Sequence, residues 1–149
     1  MRRVSLLLLM WLFNSAVLAQ DKDEAARKEL SKLQGEWKLT SGEASGLAMP
    51  PNVVNAFSMV VKDNQYEFRN SLEVEKGSLL LNPTSKPTQI DIIITEGSFK
   101  GQKQIGIYEL GDKKVKFCIT QPGETKRPEK FVSSAENECM IFVFEQVKK

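Results

Sequence analysis

Glu73 and Glu75 stand two residues apart in a strand-like run, so both carboxylates point to one face, an arrangement that general acid–base chemistry can use. Lys76 beside them gives the run the composition of an exposed strand face, and we read it as that. The chain has two cysteines, Cys118 and Cys139, too far apart in sequence for a metal-ligand cluster. It has no histidine, which removes Ser-His-Asp and Cys-His nucleophilic systems and most zinc or copper sites. The glycines stand singly, forming neither a Walker loop nor a Gly-x-Gly-x-x-Gly motif. The residues thus assign no catalytic group, no metal ligand and no cofactor, and a protein that is not an enzyme is expected.

Aromatic residues carry the remaining signal. In Leu33-Gln34-Gly35-Glu36-Trp37-Lys38-Leu39 the glycine lets the chain leave a helix at positive φ, and the tryptophan opens a strand and plugs one end of a core. Tyr66 and Phe68 share a strand face, Phe117 lies with Val115 and Ile119, and Phe142 lies with Met140 and Phe144. Trp37, Tyr66, Phe68, Tyr108, Phe117 and Phe142 are therefore the candidate interior residues, for packing first and for contact with a small apolar ligand second.

These side chains need strands to aim them. Asp21 to Leu33 has Ala26, Leu30 and Leu33 at helical spacing, with Gly35 as a stop, and reads as an amphipathic helix that lids or buttresses one end of the fold. After Trp37 the period changes to two. Strands are expected near 36–42, 57–62, 65–70, 73–81, 89–96, 103–110, 113–120 and 139–147, with an extra short strand at 129–133. Turn residues at Lys62-Asp63-Asn64-Gln65, Gly97 to Gly101 and Gly111-Asp112-Lys113 join consecutive strands as antiparallel pairs, and no crossover helix separates them. A meander of this kind leaves two exposed edges unless it closes, so an eight-stranded up-and-down antiparallel barrel is expected, with a flattened sandwich as the alternative. Pro50-Pro51, followed by Asn52 to Ala56, reads as a loop with a short helical turn near one mouth.

Arg2 and Arg3, the apolar run Val4 to Phe13 and Val17-Leu18-Ala19 have the form of a secretion signal over residues 1–19. The run is shorter than the roughly 20 residues that span a bilayer, so no integral membrane segment is expected after cleavage. The expected organisation is a signal peptide at 1–19, a helical leader at 20–34 and a barrel domain at 35–149, destined for the periplasm or the exterior. Residues 1–19 hold two arginines and no acid, so from 21 basic and 19 acidic residues in the 149-residue chain the remaining 130 carry no net charge. Lysines alternate with acids rather than forming a stripe, and Lys113-Lys114-x-Lys116 reads as a solvated hairpin, so no nucleic-acid partner is expected.

Several segments together resemble a family of exported planctomycete proteins with a lipocalin-like domain. They are the Gly35-x-Trp37 element, Ile90-Asp91-Ile92 with Thr95-Glu96-Gly97 and Lys100-Gly101, Gly106-Ile107-Tyr108-Glu109-Leu110-x-Asp112, Cys118 with Pro122-Gly123, and Arg127-Pro128-x-x-Phe131. The resemblance covers nearly the whole chain after the signal, implies a lipocalin-like barrel, and carries over no activity or catalytic residue. Cys139 departs from the family pattern. In lipocalins a basic residue covers the tryptophan, a place that Lys148 or Lys149 fills here if the last strand ends beside the first.

Export permits a disulfide, and the register expected for 113–120 against 139–147 sets Cys118 opposite Cys139, Phe117 opposite Met140 and Val115 opposite Phe142. A Cys118–Cys139 bond on the outer face is expected, with two buried thiols as the alternative. Two functions remain. A hollow barrel, with a cavity above roughly 300 Å³, is a binding module for a small apolar ligand, whereas a filled one is an envelope or extracellular interaction protein.

Overall fold

The computed structural model of the chain describes residues 7–148, with side chains from Val17 onward. Residues 1–6 and 149 and the side chains of 7–16 lie outside that description, and with them most of the expected signal segment. The elements run α1 (Leu7–Lys32), β1 (Gly35–Ala44), β2 (Leu47–Ala48), α2 (Pro51–Val54), β3 (Ser58–Lys62), β4 (Gln65–Arg69), β5 (Val74–Asn82), β6 (Gln89–Glu96), β7 (Lys103–Leu110), β8 (Lys114–Ile119) and β9 (Met140–Gln146). No helix among the described residues is long and apolar enough to cross a membrane.

Strands β1 and β3 to β9 pair antiparallel in sequence order, and β9 returns to β1, so the sheet closes into an eight-stranded barrel with β2 as a two-residue flap on β1. The flattened sandwich is thereby excluded. Closure follows from the period-two patterning: β6, for example, alternates buried Ile90, Ile92 and Ile94 with more exposed residues, so one face of every strand must be enclosed. Gly35, at φ 108°, makes the break between α1 and β1.

One end of the barrel is stoppered by α1. Leu33 and Trp37 are almost wholly buried, and the indole N–H donates to the Leu33 carbonyl at 2.8 Å. The Gln34 carboxamide binds the helix end to the β3–β4 turn, donating to the Leu30 and Asp63 carbonyls and accepting from the Asp63 N–H at 2.7 Å. Trp37 faces Gln146 in register, so the last strand does finish beside the first. The cation over an aromatic ring among the described residues is nevertheless Lys116, 4.9 Å from the Phe131 centroid, and no such contact covers the indole; Lys149 lies outside the described residues.

The segment 129–133 is not a strand. The long β8–β9 connection instead crosses the outside of the barrel as a strap. Arg127 Nη1 donates to the paired carbonyls of Ile90 and Gly106 at 2.9 and 2.8 Å, and Nη2 reaches Asp91 Oδ1 at 2.6 Å. Phe131 then lies on a second small apolar cluster made of Ile107, Cys118, Cys139 and Ile141. Pro128 and these side-chain anchors replace a ladder as the way the segment is held.

The cysteines are free thiols, contrary to the expected disulfide. The β8–β9 register is shifted by two residues from the expected one: Phe117 faces Phe142, Val115 faces Phe144, and Cys118 faces Ile141. A shift of two preserves which face each residue occupies, so Cys139 no longer stands directly opposite Cys118, yet the two thiols remain neighbours in one outer cluster with a hydrogen bond between them. The strap satisfies the Cys118 thiol, which lies 3.6 Å from the Lys130 carbonyl and 3.9 Å from that of Val132. Burial pushes Cys118 up to about 11, with the neighbouring Cys139 adding to the rise, and burial also raises Cys139, which disfavours the thiolate of each.

Candidate functional site

The end of the barrel opposite Trp37 is framed by α2, the β4–β5 and β6–β7 turns and the start of the strap. There the interior leaves a cavity of about 120 Å³, lined mainly by apolar side chains. Met59, Leu79, Ile90, Ile92, Ile119, Phe68, Phe117, Phe142 and Phe144 line it, with Phe99 and Pro122 contributed by the connections at this end. The aromatic side chains of the lining interlock: Phe68 and Phe142 centroids are 6.3 Å apart, and Phe117 meets Phe144 edge-on at 6.1 Å. Phe57 closes one side at 5.1 Å from Phe68.

Three polar side chains line the cavity, Tyr66, Glu75 and Gln104. The Gln104 carboxamide is buried and donates to the Thr120 carbonyl at 3.0 Å. Tyr66 O–H donates to Glu75 Oε1 at 2.9 Å, between adjacent strands β4 and β5. Gly77 makes room for this pair. It lies directly opposite Tyr66, and a Cβ there would stand 2.0 Å from the Ile93 carbonyl oxygen and 2.8 Å from the tyrosine ring. Burial pushes the Tyr66 phenol far above its ordinary value, and the Glu75 charge and hydrogen bond add to the rise. Burial also raises the Glu75 carboxyl, helped by the charge of Glu73 and opposed by the hydrogen bond from Tyr66. Glu73 lies outside the strands and ties the two turns at the mouth together, accepting from Ser98 O–H at 2.6 Å and Ser98 N–H at 3.2 Å.

Of the expected interior residues, Tyr66, Phe68, Phe117 and Phe142 meet at this cavity. Trp37 and Tyr108 do not line it: Trp37 is the plug at the far end, and Tyr108 is a buried strut whose hydroxyl bonds Glu29 of α1 at 3.2 Å. Burial and the Glu29 charge raise the Tyr108 phenol well above its ordinary value. The exposed-face reading of Glu75 is corrected. Glu75, Gly77, Leu79 and Leu81 share the inward face of β5, an alternation already present in the sequence but masked by Glu73 and Lys76 on either side. Phe99 and Pro122 reach the cavity from connections, so no strand period announces them, and Gln104 reaches it from β7, opposite Ile92.

A wider recess of about 680 Å³ runs along the outside of the strap, lined by charges of both signs including Glu124, Lys126, Glu136 and Glu138. It is a groove over solvated loop residues, whereas the interior cavity is lined mainly by apolar side chains. Among the described residues no group of three or more His, Cys, Asp or Glu side chains is placed to hold a metal ion. Comparison with protein-family models, with curated proteins and with solved structures finds no match.

Proposed function

We propose that this chain is an exported binding module whose barrel takes up a small, largely apolar ligand. The cavity between Leu79, Ile92, Phe117 and Phe142 carries the reading. Its volume, about 120 Å³, falls short of the roughly 300 Å³ expected of a hollow carrier and is close to the roughly 150 Å³ that accepts benzene, so the proposal is for a small site in a largely filled barrel. The occupant is therefore one ring, or the end of a longer molecule entering past Phe99. Export to the periplasm or the exterior rests on Arg2, Arg3 and the Val4–Phe13 run, and kinship with the planctomycete family rests on the motifs quoted above. A role without catalysis belongs to the same proposal and is supported by the lack of histidine.

The alternative, an interaction protein with a filled barrel, draws on exposed Leu47, Leu72 and Phe99, all on connections at the open end. Titration of the purified protein with ethylbenzene, followed through the methyl resonances of Ile90, Ile92 and Leu79, separates the two. Saturable shifts at these methyls and a raised melting temperature are expected. Methyl resonances that stay in place up to the solubility limit of ethylbenzene would leave the interaction reading standing.

A further inference from the structure

We propose that the cavity selects organic cations: its ligand is a ring or short hydrocarbon bearing an ammonium group that pairs with Glu75. This deepens, and rests on, the binding reading above. Glu75 is the one carboxyl group among the lining residues, and none of those residues is lysine or arginine. Tyr66 donates to Oε1 and so orients the carboxyl within the mouth. A carboxylate accepts through both oxygens, and Oε2 offers the donor-seeking site. A second negative charge, Glu73, stands at the same mouth through its bonds to Ser98. Phe68, Phe117 and Phe142 present aromatic surface along the same space, which also attracts a cation.

The same features work against an anion. A fatty-acid or benzoate carboxylate would enter toward Glu75 and Glu73 with no cation lining the cavity to meet it. A neutral hydrocarbon would fill the walls yet leave Glu75 without a new partner. The ammonium compound uses both the apolar walls and the acidic mouth, which makes it the complementary class.

Isothermal titration at neutral pH with benzylamine, its neutral isostere ethylbenzene, and benzoate tests the proposal. Benzylamine is expected to bind more tightly than benzoate by about tenfold or more. Glu75→Gln should weaken benzylamine relative to ethylbenzene by about tenfold or more, and retained ethylbenzene binding shows that the variant is folded. In the unsubstituted protein the side-chain carboxyl resonance of Glu75 should move with benzylamine and stay with ethylbenzene, an observation that needs no variant. Benzoate binding as tightly as benzylamine, or a Glu75 resonance indifferent to benzylamine, would overturn cation selection while ethylbenzene binding keeps the apolar reading intact. If ethylbenzene also fails to bind, the binding reading itself falls, and this inference with it.

Discussion

At the scale of single residues, Glu75 and Trp37 show how burial turns an ordinary side chain into a determinant. Glu75 has a carboxyl raised from its ordinary value of 4.5 by burial, with Glu73 adding to the rise and Tyr66 opposing it. A group whose folded value is raised binds its proton more tightly folded than unfolded. Its contribution to stability is therefore complete below the ordinary glutamate range and is lost as pH rises through the raised folded value. Glu75→Gln removes this term, so the variant should gain stability relative to the parent as pH rises from the ordinary range toward neutrality. Urea midpoints of both proteins across that interval check it, and a constant difference would contradict the assignment. Trp37 is 1 % exposed and hydrogen-bonded at its indole nitrogen. Replacing it by alanine should cost about 3–5 kcal/mol in equilibrium unfolding, the loss typical of a truncated buried aromatic.

At the scale of elements, the strap between β8 and β9 explains why strands that need no outer cover carry apolar residues on both faces. Ile107, Cys118 and Ile141 face outward and would be wet but for Phe131 and the segment around it. Arg127 fixes that segment by binding the Ile90 and Gly106 carbonyls, and its guanidinium pairs with Asp91 Oδ1 at 2.6 Å while Lys103 pairs with Asp91 Oδ2 at 2.6 Å. Burial alone would raise the Asp91 carboxyl, but the hydrogen bonds and charges of Lys103 and Arg127 outweigh it and hold the group below its ordinary value. Arg127→Ala should release the strap without unfolding the barrel. In a Cys139→Ser background, modification of the Cys118 thiol by a soluble disulfide reagent is then expected to accelerate by about tenfold or more, as a local opening rather than global unfolding comes to limit access. An unchanged rate would mean that Phe131 alone anchors the strap. Thiol counting on denatured, unreduced protein should find both cysteines free, as they are in the structure.

At the scale of the whole molecule, the barrel is plugged at the Trp37 end, and the size of its cavity is set by the aromatic side chains that pack into it. Phe142 stands among these rings, within 6.4 Å of Phe57 and 6.3 Å of both Phe68 and Phe144. Phe142→Ala should destabilise by about 3–5 kcal/mol and enlarge the cavity enough to admit two-ring hydrocarbons that the parent excludes. Denaturant unfolding and naphthalene titration measure the two effects. Much of this architecture was determined by the sequence alone. Period-two runs separated by turn residues specify short antiparallel strands, Gly35-x-Trp37 specifies the helix-to-strand break and the plug, and a meander with apolar faces has to close. The inward faces of Tyr66, Phe68, Phe117 and Phe142 were legible for the same reason, since alternation along a strand is a local property. Only the tertiary structure decided the rest. The β8–β9 register, two residues from the expected one, depends on where the strap leads the chain back, and a shift of two leaves every side chain on the same face, so no pattern in the strands distinguishes the two pairings. The bond between Tyr66 and Glu75 joins different strands through the space left by Gly77, and the cavity is the remainder after all the side chains have packed. Such a remainder is a property of volumes summed across the whole barrel, which no stretch of sequence contains.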